Sequence, residues 1–236
     1  MAEITVLTAV LFGFLLGIRH ALDADHIVAV TTIVSRSRSI FRSALVGLSW
    51  GIGHTLTLFA AGFAVLVFKL AIPDRLALSM EFAVGVILVI LGIPLIRQMV
   101  INRAHMHWHR HDDTKHLHLH SHGETPVHDH RHIRRPLLVG MVHGLAGSGV
   151  LIPLVMGTMS SVVQGLFFLL LFGAGTILSM VLFGGLISLP IRFASGFSVR
   201  LGLLIQGTAG IVSAVFGLFI MWQVGFAGGL FFPLTG

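Results

Sequence analysis

The sequence predicts an all-α polytopic membrane protein of about six transmembrane helices, built as two inverted three-helix repeats with a broken first helix. Three observations carry that prediction. The chain is 55% hydrophobic and only 10% charged over 236 residues, with a mean hydropathy of +0.95, whereas a soluble domain carries about 25% charged residues. Its apolar residues fall into six segments, each of roughly the 20 or more residues that a spanning helix needs. Its arginines and lysines gather in alternate connections, as membrane orientation requires.

The first segment covers residues 4–33, too long for one untilted span, and its polar stretch GIRHALDADHIV at 17–28 marks the expected break. The second covers 41–71 and the third 77–101. Composition then changes abruptly: residues 105–135 hold 11 of the 15 histidines. The fourth segment covers 136–159, the fifth 162–191 and the sixth 199–222, before a short apolar tail, FAGGLFFPLTG. The expected domains are a first repeat (1–104), a His-rich loop (105–135) and a second repeat (136–236). The N-terminus has no basic n-region and no A-x-A-like site, so a signal peptide is not expected.

Arg36, Arg38 and Arg42 lie in the first connection, seven basic residues from Arg97 to Arg135 in the third, and Arg192 and Arg200 in the fifth. The even connections hold Lys69 and Arg75 alone. Odd connections are therefore expected in the cytoplasm, the His-rich loop among them, with both termini outside the cytoplasmic membrane. The net charge of +6 is scattered through these loops and is no nucleic-acid signal. With no cysteine, disulfides and thiolate metal sites are excluded.

The halves resemble each other. LLGIRHALDADHIV at 15–28 lies on LVGMVHGLAGSGVL at 138–151, placing His20 on His143. GIGHTL at 51–56 lies on GAGTIL at 173–178, with His54 in a one-residue gap. Three helices per half invert the second half relative to the first, a transporter architecture. Most GxxxG pairs, such as Gly47 with Gly51, read as close helix packing. Gly144, Gly147 and Gly149 beside His143 suggest a locally unwound helix.

His20, Asp23, Asp25, His26, His54 and His143 all fall inside apolar segments. An aspartate at a helix centre costs about 2.5–3.5 kcal/mol on insertion scales, so such residues are functional candidates. At 100° per residue, His20, Asp23 and His26 share a face, while Asp25 lies about 140° from His20. Asp25 joins them only if the helix breaks; otherwise it has another task, such as pairing with Arg19. Imidazole and carboxylate without sulfur suit nickel, cobalt, zinc or copper(II). An internal ion-pair network is the competing reading, and for His54 a histidine hydrogen-bonded between helices. The HxH-rich loop is expected to bind metal, and to be disordered without it, against the alternative of a solvated spacer.

RHALDADHI at 19–27 resembles the signature of the NiCoT nickel–cobalt permeases, HxxxxDH, here His20, Asp25 and His26. LSWGIGHTLTLF at 48–59 resembles their second signature, with Gly53, His54 and Thr55. GMVHGLAGSGVL at 140–151 is similar to the shorter branch that includes urease-accessory-type nickel transporters. The resemblance implies nickel or cobalt uptake. The larger members have eight helices and acidic signatures in the second half; this chain has no Asp or Glu after Asp129. Its second half would contribute through His143, Ser148, Thr176 or backbone carbonyls.

The function expected is a secondary permease carrying Ni²⁺ or Co²⁺ as transported substrate, with no prosthetic group. Its partners are the lipid bilayer and a divalent transition-metal ion, with a cytoplasmic metallochaperone or a second copy of the chain as the protein partners considered. The alternatives are coupled efflux of the same ions and, from another class, an intramembrane hydrolase using Ser148 and His143. No GxSxG stands around Ser148, and HExxH and the nucleotide-binding GxxxxGK[ST] are absent.

Overall fold

The structure, a computed structural model, describes residues 2–37, 39–70, 72–102, 109–111, 114–116, 131–159 and 161–232. Its helices are α1 (Ala2–His20), α2 (Ala24–Val34), α3 (Ile40–Phe68), α4 (Asp74–Asn102), α5 (Arg131–Thr158), α6 (Val162–Phe197) and α7 (Val199–Trp222). A π-helical turn, Gln223–Ala227, ends the bundle. Strands β1 (His109–His111) and β2 (Thr114–His116) pair antiparallel, with His109 opposite His116. Most of the His-rich loop lies outside the described residues; six of those described form this strand pair where disorder is expected, and Arg131–Arg135 begin α5.

The protein is an all-α multi-pass membrane protein. Residues 40–68, 74–101, 162–194 and 199–227 are each long and apolar enough to cross a bilayer. Large apolar side chains such as Phe41 and Phe193 point outward, as lipid-facing residues do. The helix starts follow local chemistry. Ser39, Ser161 and Ser198 cap α3, α6 and α7, each hydroxyl accepting from a backbone N–H of the first turn. Helix α5 begins at Arg131, five residues before the apolar segment, because a spanning helix continues into its polar flank. Helix α6 likewise runs past Pro190 to Phe197.

The first segment is broken, at Ala21–Asp23 between α1 and α2. The expected unwinding at Gly144, Gly147 and Gly149 does not occur: α5 is continuous through all three. Gly144 serves close approach instead. A Cβ at Gly144 would strike the His54 carbonyl and the Thr57 hydroxyl, and one at Gly140 would strike the Trp50 backbone.

Helix α3 packs between α5 and α6, α1 lies on α6, and α4 lies along α7. The α4–α7 seam is centred on paired glycines. Gly85 faces the Gly217 carbonyl and Gly217 faces that of Gly85; Gly92 and Gly210 are reciprocal in the same way. Ser213 fixes the register by donating to the Leu88 carbonyl at 2.7 Å. A buried cluster including Ala21, Ala29, Val30, Trp50, Val84 and Ala146 joins the break to the rest of the bundle.

Candidate metal centre

The site is built around the break. As α1 ends, its hydrogen bonds tighten: Leu22 N–H donates to Arg19 and Asp23 N–H to His20, both at 3.0 Å. Asp23 then adopts an extended backbone (φ −65°, ψ 150°) as the N-cap of α2. Asp25 falls in the first turn of α2, where the positive end of the helix dipole favours an anion. The break resets the angular phase of the chain, so the 140° separation of Asp25 from His20 no longer keeps them apart.

Both carboxylates hold histidine rings. Asp23 Oδ2 accepts from His20 Nδ1 at 2.9 Å, and Asp25 Oδ1 accepts from His26 Nδ1 at 3.1 Å. A carboxylate on Nδ1 fixes the tautomer whose free lone pair is on Nε2. His54, in the middle of α3, brings its Nε2 within 3.2 Å of His20 Nε2. His20, His26 and His54 thus come from three helices and offer ligating nitrogens all within 4.8 Å of one another. Asp23 and Asp25 stand behind this trio, at the far nitrogens of two of its rings.

His143, in the middle of α5, stands beside the trio. Its ring centroid is 5.4 Å from that of His26 and 4.7 Å from that of Trp50. Its Nδ1 donates to the Val139 carbonyl at 3.0 Å, leaving Nε2 as an acceptor. His26 Nε2, His54 Nδ1 and His143 Nε2 are buried without a hydrogen-bond partner among the described residues. Unpaired buried polar atoms are costly, and the trio of His20, His26 and His54, with ligating nitrogens within 4.8 Å of one another, fits a borderline divalent cation.

Among the described residues, the centre is most accessible on its aspartate side. His26, His54 and His143 are at most 2% exposed, whereas the Asp25 and Asp23 side chains are 30% and 55% exposed. The wall opposite includes Gly147, where a Cβ would stand 3.5 Å from His20 Nε2 and 3.8 Å from His54 Nε2.

Other expectations are corrected. Arg19 is exposed at the end of α1 and forms no ion pair with either aspartate, because each carboxylate has an imidazole closer at hand. Ser148 donates to the Leu145 carbonyl of its own helix at 2.6 Å, so its hydroxyl is not paired with His143 as a nucleophile would be. Thr176 donates toward the Gly17 and Phe172 carbonyls, tying α6 to the end of α1.

Two side chains escape the sequence reading. Trp50 forms the floor between His26 and His143, its indole nitrogen buried without a partner among the described residues. Glu81, half-buried in α4, interacts electrostatically with Asp25. The signal for Glu81 was available: it is an acid within the apolar segment 77–101.

Comparison with known proteins places these features. The chain is 38% identical over 233 residues to the urease accessory protein UreH of Bacillus sp. (strain TB-90), covering 98% of each protein. It is 29% identical over 182 residues to the Chloroplast protein FOR GROWTH AND FERTILITY 2 of Arabidopsis thaliana, 74% of this chain and 45% of that protein. The family model described as the cytochrome C biogenesis protein transmembrane region matches residues 69–219. No solved structure matches the chain.

Proposed function

The chain belongs to the family of the cytochrome C biogenesis protein transmembrane region, and from that premise, together with its full-length likeness to a urease accessory protein, we propose that it is a secondary transporter of Ni²⁺ or Co²⁺ that works in uptake across the cytoplasmic membrane. With no cysteine, the chain has no thiol chemistry of its own. What it has is nitrogen and oxygen. The observation that carries the reading is the convergence of His20, His26 and His54 from three helices within 4.8 Å. Nickel as cargo is supported twice: by the resemblance of residues 140–151 to urease-accessory-type nickel transporters, and by the relative's role as a urease accessory protein.

In this reading His20, His26 and His54 bind the ion, Asp23 and Asp25 orient two of the rings, and His143 is the next donor beyond His26. Reciprocal packing supports two inverted repeats rocking around that centre. Gly17 meets the Phe172 backbone as Gly140 meets that of Trp50, and Gly53 meets Leu137 as Gly175 meets Phe14. The His20 ring lies 5.2 Å from that of Phe172 as the His143 ring lies 4.7 Å from that of Trp50, both pairs tilted. Each partner is the repeat mate of the other. A negative-inside potential draws a divalent ion inward with about 4.6 kcal/mol per 100 mV, twice the value for one charge. Uptake therefore needs no nucleotide site. The reading places the termini outside and the His-rich loop in the cytoplasm, where its HxH repeats buffer arriving metal.

Radiolabelled nickel accumulation by cells expressing the chain tests this. Wild type should accumulate nickel, His26→Ala should not, and deletion of 105–132 should reduce accumulation partially. Lowered cell nickel with increased resistance would establish efflux instead. Undiminished transport by His20→Ala, Asp25→Ala and His26→Ala would remove the centre from the ion's path.

A further inference from the structure

Glu81 has no place in the ligand set described above, yet it lies on the helix that packs against both α2 and α5. It lies seven residues into α4, about 10 Å from the helix start at 1.5 Å per residue, within a hydrocarbon layer about 30 Å thick. Under the orientation proposed above, on which this inference rests, α4 starts at the outer face. Glu81 then lies on the outer side of the break.

Its stripe of α4 faces the site. Ala77, four residues before it, lies 3.1 Å from where a Cβ at Gly149 of α5 would stand. Val84, three residues after it, is buried in the cluster that holds Ala21 of the break and Ala29 and Val30 of α2. Residues at these spacings share one helix face. An acid that merely snorkelled would occupy the lipid side of α4. Glu81 instead shares the face of α4 whose Ala77 and Val84 meet α5 and the break, and it interacts electrostatically with Asp25.

Among the described residues the Glu81 carboxylate has no hydrogen bond and no basic partner. Two carboxylates that repel each other beside an apolar wall are stabilised by a cation between them. The buried, unpartnered Nε2 of His26, the residue whose Nδ1 is held by Asp25, lies immediately beyond.

We propose that Glu81 is the loading carboxylate of the transporter: it takes the incoming divalent cation from water and passes it by Asp25 to the three histidines. It speeds arrival and is no part of the resting ligand set. Carboxylate oxygen suits that task, since it binds a hydrated divalent ion readily and releases it to imidazole, the stronger donor for nickel and cobalt.

The test uses the full-length protein in lipid nanodiscs with Ni²⁺ alone, measuring stopped-flow association and saturation stoichiometry. Glu81→Gln should slow association about tenfold while the amount of Ni²⁺ bound at saturation stays at the wild-type value, which also verifies the fold. Glu81→Asp should recover most of the rate. In proteoliposomes Glu81→Gln should raise KM for Ni²⁺ and leave kcat within about twofold. Wild-type association and KM in Glu81→Gln would overturn the proposal alone, and reduced saturation stoichiometry would reassign Glu81 to the ligand set or the fold. If the wild-type protein binds no Ni²⁺, the transport reading fails and the role of Glu81 with it.

Discussion

Residues 17–28 and 140–151 occupy matching places in the two halves, and each presents a glycine to a facing backbone and a histidine to a facing aromatic ring. One breaks between helices; the other continues. The difference follows from three pairs of residues. Where the first stretch has Asp23, Asp25 and His26, the second has Ala146, Ser148 and Gly149. Asp23 in regular helix would hold its carboxylate in the apolar wall; with an extended backbone it reaches back to His20. Ser148 makes no such demand, because its hydroxyl is satisfied by the turn before it. Ala146 and Gly149 have nothing to satisfy. The first stretch carries the donors, and the second supplies a smooth, regular wall against which they converge.

The sharpest way to break this comparison is to remove one histidine from each stretch. His26→Ala should abolish nickel binding and uptake, while His143→Ala should leave measurable binding in a titration of the purified protein. Equal loss would mean that the halves contribute equally. Next in size, Asp25→Asn should weaken nickel affinity by about 10–100-fold, the usual cost of losing the group that orients a metal-binding histidine. It keeps the shape of the side chain and removes the charge, so an unchanged dissociation constant would leave Asp25 without its assigned role. Gly17→Ala and Gly140→Ala test what the halves have in common. Each puts a methyl group into a facing backbone and should cost about 1–3 kcal/mol, seen as a lower thermal midpoint in detergent for both. A large drop for one alone would show that the packing is not shared. Smallest is Gly147→Ala, whose methyl meets the His20 and His54 rings only at ordinary contact distance; stability should change by no more than about 0.5 kcal/mol.

Much of this was legible in the sequence, for physical reasons. A span needs about 20 apolar residues, so α3, α4, α6 and α7 stood out by length alone. The break was visible because charges are expensive in lipid and because 4–33 is too long for one helix. The six candidate residues were visible for the same reason. Their division of labour was not. Whether Asp25 faces an ion or the back of His26 depends on the backbone at Asp23, and no helical wheel describes a helix that stops. Gly144 misled because glycine permits both unwinding and close approach; only the neighbouring His54 and Thr57 decide between them. Arg19 misled because nearness in sequence suggested a partner that nearness in space gave to His20 and His26.

The reciprocal glycines of the α4–α7 seam carry one more implication. Helices normally interlock through side-chain ridges seated in grooves, and sliding one past another means lifting each ridge over the next. Gly85 against Gly217 and Gly92 against Gly210 have no side chains to lift. At these points the two helices meet backbone to backbone, with Leu88, Leu95 and Met221 beside them and Ser213 donating to the Leu88 carbonyl as a latch. Such a joint resists separation, because the contact is close, and at its glycine points no side chain has to be lifted for one helix to slide. It is the part of the molecule best suited to act as a bearing.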